Sequence, residues 1–322
     1  MKLTATPYCL QLVTPVRGVR ARQGFVVRIE DGGRVGLGEA SIVPEVGTES
    51  CAAAQVALER APLRLDELDA IAATPAARHG VELALLDLSA QREGVPLARL
   101  LDPGAADVVE VSALLVEKPV PLLAREARAA VTAGFRTVKL KLGGDDDYAR
   151  AVVVRDTVGP SVLLRVDANG AWTAAEALRM LRTLAPLGLE LCEQPTADLR
   201  GLEDARVAIA ADELVATDLE GALLRASLLV LKPMALGGLL PALRIATRAR
   251  SLGKRIVVTS SLDGAIARAG AAHLAAALLA HGAQPAAGLA TGALLASDVC
   301  ADRLAPREGR IHLSAEPGLG VA

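Results

Sequence analysis

Hydrophobic and polar positions change rhythm twice along the chain. Over residues 3–12, 24–29 and 35–38 apolar and polar side chains alternate with the period of two expected of half-buried strands, and Asp31-Gly32-Gly33 supplies a turn between the last two. The basic, glycine-containing stretch 15–22 between the first two reads as a solvated, mobile loop. Over 50–61 and 75–91 the spacing lengthens to that of helices, with Val81, Ala84, Leu85 and Leu88 on one face. After Pro103-Gly104, short apolar runs at 109–116, 137–142, 162–166, 189–192, 208–211, 228–231 and 256–258, with a weaker eighth at 286–289, alternate with amphipathic segments. Thr173-Ala-Ala-Glu176 is a capping-box signal for one of these helices. Alternation of this kind implies a parallel sheet, because each parallel pair needs a long crossover. Seven or eight runs exceed the usual strand number of an open doubly wound sheet, so closure into a barrel is expected. The predicted organisation is an α+β capping domain over 1–104, completed by 301–322, around a barrel over 105–300.

The length of 322 residues accommodates an α/β barrel of about 250 residues with a smaller domain attached. Hydrophobic residues make up 52% and aromatic ones 2%, so the core is aliphatic. A formal charge of -2 and so few rings argue against nucleic acid as a partner. Cys9, Cys51, Cys192 and Cys300 form no Cys-x-x-Cys pair, which favours neither a disulfide framework nor a zinc knuckle and suits a reducing cytoplasm. With no basic leader ahead of an apolar run and no apolar stretch of about 20 residues, a soluble, cytoplasmic protein with no membrane partner is expected. Oligomeric state is not legible.

Ionisable residues close several of the apolar runs. Lys139 and Lys141, Asp167, Glu193, Asp212 and Lys232 fall where successive barrel strands end, and in a parallel barrel all those ends meet on one face. A helix-capping role would explain any single acid, but three in register point to a shared hard cation such as magnesium. None of His79, His273, His281 and His312 closes a strand in the series, so zinc is not favoured. Lys141 and Lys232 would flank whatever the cation binds, and a buried lysine pushed toward its neutral amine removes a proton made acidic by a metal-bound carboxylate. Lys139, two positions before Lys141, lies on the same strand face and is expected to pair with the acids. Leu236-Gly237-Gly238 reads either as a tight strand-to-helix turn or as a phosphate loop.

The ordered set Lys139-x-Lys141, Asp167-x-Asn169, Glu193-Gln194-Pro195, Asp212-Glu213 and Lys232 resembles the muconate-lactonizing subgroup of the enolase superfamily. That resemblance implies a modified TIM barrel, (β/α)7β, with an α+β capping domain. It also implies Mg2+, with Mn2+ as a substitute, on Asp167, Glu193 and Asp212, Lys141 and Lys232 as catalytic residues, and Lys139, Asn169 and Glu213 in support. The subgroup includes cycloisomerases, dipeptide epimerases, N-acylamino acid racemases and o-succinylbenzoate synthases. Dipeptide epimerases resemble one another in an Asp-x-Asp at the end of the eighth strand, and Gly288-Leu289-Ala290-Thr291-Gly292 has no acid there. With Thr259-Ser260-Ser261-Leu262-Asp263-Gly264 and Gly38-Glu39-Ala40, this run is most similar to the o-succinylbenzoate synthases of menaquinone biosynthesis, although Ala290 stands where Gly-Leu-Asp-Thr carries an acid. The implied reaction is dehydration of 2-succinyl-6-hydroxy-2,4-cyclohexadiene-1-carboxylate through a metal-stabilised enediolate, a hydro-lyase activity with Lys141 as base and then acid. In the resembled fold Arg20 and Arg22 lie over the active site, and Ser260, Ser261, Gly288 and Thr291 are the candidate contacts of the substrate tail. N-acylamino acid racemase, with two lysine bases on opposite faces of one carbon, is the nearest rival.

Overall fold

The computed structural model describes residues 1–16, 18–116 and 119–321. The chain opens with an antiparallel sheet of β1 (Lys2–Val16), β2 (Val19–Asp31) and β3 (Arg34–Ile42), in the order β1-β2-β3. Phe25, Val27 and Ile29 point into a core while Arg28 and Glu30 face out, as the alternation requires. The first hairpin runs further than its apolar alternation indicated. Leu10 pairs with Arg22, Gln11 with Ala21 and Val16 with Val19, so the basic stretch is mostly paired strand and not a solvated loop. Its backbone resumes the ladder after a shift of register between Gln11 and Val16, and Arg22 buries its stem while its charge is met by Glu45. Arg17 of that stretch lies outside the described residues, as does Ala322 at the end of the expected cap-completing segment.

Two helices cover this sheet, α1 (Cys51–Glu59), capped by Ser50 Oγ, and α2 (Pro75–Glu93). Residues 76–88 of α2 are buried without a break, because the helix is enclosed on all sides and not laid on a surface. A Cβ on Gly38 would lie 1.9 Å from the Gly80 carbonyl oxygen, so the approach of β3 to α2 depends on the missing side chain. The short α3 (Leu97–Leu101) then leads into the alternating portion.

That portion runs β4 (Val108–Glu110), β5 (Ala113–Leu115), α4 (Val120–Thr132), β6 (Thr137–Lys141), α5 (Asp147–Val158), β7 (Leu163–Asp167), α6 (Ala174–Leu184), β8 (Leu189–Glu193), β9 (Ile209–Ala211), α7 (Glu213–Thr217), α8 (Leu219–Arg225), β10 (Leu228–Leu231), α9 (Leu239–Ser251), β11 (Arg255–Val258), α10 (Ala265–Leu279) and β12 (Arg310–His312). The capping box at Thr173 and Glu176 is formed in both directions. Strands β5 to β11 make one parallel sheet in which each lies beside its neighbour in sequence. The eighth run is not a strand of this ladder but closes it by single bridges, Gly288 to Thr259 and Ala287 to Val111. Gly288 N donates to Val258 O at 2.8 Å and Ser112 N to Ala287 O at 2.9 Å. The run at 109–116 divides because Val108–Glu110 pairs with β12 and only Ala113–Leu115 enters the barrel. Leu191, Ala210, Leu228, Val230 and Val257 pack together as a separate aliphatic cluster, so the cylinder is filled rather than open. At the end of the chain Gly318 O accepts from Leu97 N, and Leu319 N donates to the buried Asp87. Among the described residues no helix is long and apolar enough to cross a membrane.

Candidate active site

Parallel register brings the strand-end residues side by side, with Lys141 opposite Asp167 and Asp167 opposite Glu193. Asp212 follows β9 and Lys232 follows β10 directly. Asp167, Glu193 and Asp212 are buried, and each offers an oxygen within 4.8 Å of the others. Oxygens sharing one magnesium at about 2.1 Å are at most roughly 4.2 Å apart, so small side-chain adjustments suffice to gather all three. Both oxygens of Asp212 lie 2.6 Å from Lys232 Nζ, and the donor set of the three residues is all carboxylate, as a hard cation prefers. The site fits a divalent cation.

The lysines interleave with these acids. Lys139 Nζ lies 2.6 Å from Glu193 Oε1 and 2.8 Å from Asp167 Oδ2. Lys141 Nζ donates to Asp167 Oδ2 at 2.6 Å and to Asn169 Oδ1 at 2.9 Å, and Lys232 Nζ donates to Asp212 Oδ2 at 2.6 Å. Burial by itself would raise the Asp167 carboxyl, but Lys139 and Lys141 together outweigh it and hold the group well below the ordinary carboxylate range. Glu193 goes the other way, pushed up to about 8 by burial and then by the charge of Asp167. Burial disfavours the charged forms of Lys139 and Lys232, yet the acids around them win and both ammonium groups are stabilised. The cluster therefore carries a charge imbalance centred on Glu193, which an added cation would relieve.

Two residues beside the acids adopt left-handed backbone, Asn169 at φ 46° and Gln194 at φ 38°. Asn169 thereby turns its amide between Lys141 and Glu213, donating to Glu213 Oε1 at 3.1 Å. Gln194 Oε1 accepts from Asp212 N at 2.8 Å and Leu214 N at 3.3 Å, fixing the loop that presents Asp212. In the sequence Gln194 is marked only by its place beside Glu193 in Glu193-Gln194-Pro195.

Lys139, Lys141, Asn169, Asp212, Glu213 and Lys232 line one cavity together with Arg22, Ser260, Ser261, Gly288 and Thr291. Arg20, expected beside them, is exposed and does not line it. Ser260 Oγ is 2.7 Å from Thr291 Oγ1, while Ser261 Oγ is buried without a partner among the described residues. Val16, Val43, Glu45, Val46, Ser112, Leu114, Thr259, Leu262 and Ala290 complete the lining and were not singled out individually as site residues. Val43 to Val46 follow β3 and reach the cavity only through the docking of the cap, which no local pattern announces. The Gly237-Gly238 turn is not a phosphate site. Glu82 Oε1 already accepts from Leu240 N there, at 2.9 Å.

Residues 122–322 match the family model described as Enolase C-terminal domain-like. The chain belongs to the enolase superfamily. Residues 7–88 match a second model, MenC, N-terminal domain. This superfamily member is 33% identical to the L-Lys-D/L-Arg epimerase of Methylococcus capsulatus, over 95% of this chain and 92% of that protein. It is equally, 33%, identical to the o-succinylbenzoate synthase of Thermobifida fusca, over 95% of this chain and 86% of that one. The dipeptide epimerase from Methylococcus capsulatus complexed with Mg and the dipeptide L-Arg-D-Lys superposes with a TM-score of 0.90 at 30% identity, covering 100% of this chain and 99% of that structure. The modified barrel with an antiparallel capping sheet is thus the superfamily fold.

Proposed function

We propose that this enolase superfamily member dehydrates 2-succinyl-6-hydroxy-2,4-cyclohexadiene-1-carboxylate to o-succinylbenzoate, the carbon–oxygen lyase step of menaquinone biosynthesis. The observation that carries the reading is the neutral end of the cavity. Gly288, Ala290, Thr291, Ser260 and Ser261 face it, and its remaining acids are engaged: Glu45 with Arg22, Glu213 with Asn169, Asp212 with Lys232. A dipeptide's ammonium group would find no free carboxylate among the lining residues, whereas a succinyl tail finds the hydroxyls of Ser260, Ser261 and Thr291. The match of residues 7–88 to the MenC N-terminal model and the Thermobifida fusca relative support the same substrate class.

Asp167, Glu193 and Asp212 would hold Mg2+ or Mn2+, which supplies positive charge to the substrate carboxylate as its α-proton becomes acidic. Lys141, steered by Asn169, takes that proton and returns it to the departing hydroxyl, so that water leaves and the ring becomes aromatic. Lys232, on a strand beyond the other side of the three acid-bearing ones, presents an ammonium to the opposite face of the anion formed. Lys139 stays between Asp167 and Glu193 and keeps them ionised and in place.

Lysines on both flanks also favour a second reading, N-acylamino acid racemase or another α-proton exchange, in which both act as bases on one carbon. Incubation with the cyclohexadiene substrate and magnesium, followed by detection of the aromatic product, tests the first. Exchange of α-hydrogen for deuterium in N-succinyl amino acids tests the second, and exchange without dehydration would replace the first reading with it. Failure of both would remove the enzyme assignment for Lys141.

A further inference from the structure

Glu39 is fully buried on β3, yet its side chain bonds to residues 225 and 228 positions away. Its Oε1 accepts from Gly264 N at 2.6 Å and from the Tyr8 hydroxyl at 2.7 Å, and its Oε2 accepts from Ala267 N at 3.0 Å. Gly264 precedes α10 and has no side chain with which to cap it, so the cap of the molecule supplies the carboxylate that the helix start lacks. Asp298 takes the neighbouring donor, Ala265 N, at 2.7 Å. A Cβ on Gly264 would come within 2.8 Å of both Glu39 oxygens, so the contact leaves no spare room.

The segment held in this way, 259–264, carries Ser260 and Ser261 at the neutral end of the cavity. Asp263 ties it locally by accepting from Ser261 N at 3.1 Å, and its carbonyl accepts from Arg268 Nη1 at 2.6 Å. On the other side, β3 runs directly into Val43 and Val46, which line the same cavity. A single carboxylate therefore fixes the wall contributed by the cap against the wall contributed by the barrel. Holding it there is unfavourable, since burial and the charge of Asp263 push the Glu39 carboxyl up to about 7. An apolar residue would fill the space without that penalty but could not accept three hydrogen bonds.

We infer that Glu39 is a positioning residue for substrate specificity. It sets the spacing between the cap and the 259–264 segment and thereby governs how the cavity accepts the tail of a carboxylate substrate. This deepens the dehydratase reading and rests on it for the nature of the tail.

The test compares full-length wild type with Glu39→Gln and the milder Tyr8→Phe, all with saturating magnesium. Amide hydrogen exchange is expected to lose at least tenfold protection at residues 260–268 in Glu39→Gln while β7 to β9 stay protected. KM for the dehydration substrate is expected to rise at least tenfold with kcat within threefold, and magnesium affinity by calorimetry to stay within twofold. Tyr8→Phe removes one of the three donors and should raise KM by about threefold, which keeps the test decisive if Glu39→Gln does not fold. Unchanged protection and KM in both variants, or a fall in kcat at constant KM, would overturn the inference. Protection is read without turnover, so a wild type lacking dehydratase activity counts against the reaction alone. The clamp is then judged by exchange, supported by loss confined to 260–268 and refuted by none.

Discussion

Replacing Lys139 by Met tests the electrostatic balance on which the site depends. Its ammonium lies 2.6 Å from Glu193 and 2.8 Å from Asp167, both buried, and methionine keeps most of the stem while deleting the charge. Breaking a buried ion pair by removing one partner costs about 3–5 kcal/mol. Unfolding entropy of about 2.1 cal/mol/K per residue over 322 residues is about 0.7 kcal/mol/K, so Tm should fall by about 4–7 °C in EDTA. The sign of the pH dependence follows from Glu193, whose carboxyl already sits at about 8 in the presence of Lys139 and must rise further without it. A raised carboxyl contributes stability while protonated and loses it as pH climbs through the folded value, so the deficit should be smaller at pH 6 than at pH 9. Saturating magnesium should shrink it again, by restoring positive charge among the three acids. Thermal unfolding at both pH values, with and without magnesium, reads all of this. A Tm for the variant within about 1 °C of wild type in EDTA at pH 9 would refute the reasoning.

Lys141→Ala should lower turnover at least about a thousandfold while calorimetry still detects magnesium binding, and activity near wild type would remove Lys141 as the base. Gly38→Ala places a Cβ 1.9 Å from the Gly80 carbonyl and should cost at least about 3 kcal/mol or prevent soluble expression; a Tm unchanged by the substitution would mean that β3 and α2 separate easily. Thr173→Ala removes one half of the capping box and should cost about 1 kcal/mol, about 1.5 °C, with kinetics unchanged, as differential scanning calorimetry beside a standard assay will show.

Most of the fold and the centre of the site follow from the sequence alone, because each depends on a periodic or punctual feature. Alternating runs declare parallel strands, and an acid or a lysine closing several of them marks the strand's end, so Asp167, Glu193, Asp212, Lys139, Lys141 and Lys232 are found by counting. Register is then dictated by the ladder, which sets Lys141, Asp167 and Glu193 side by side. Contacts between segments far apart in sequence could not be read in that way. Backbone pairing of β1 with β2 made strand of an expected loop, single bridges at Gly288 and Ala287 took the place of an eighth strand, and Arg20 stayed outside the cavity that Arg22 entered. Glu39 capping a helix 225 residues away leaves no local trace at all. Local patterns are set by burial of one face against whatever lies beneath it, and that much is encoded residue by residue. Which partner lies beneath is a property of the closed cylinder and the docked cap, and it exists only once the whole chain has folded.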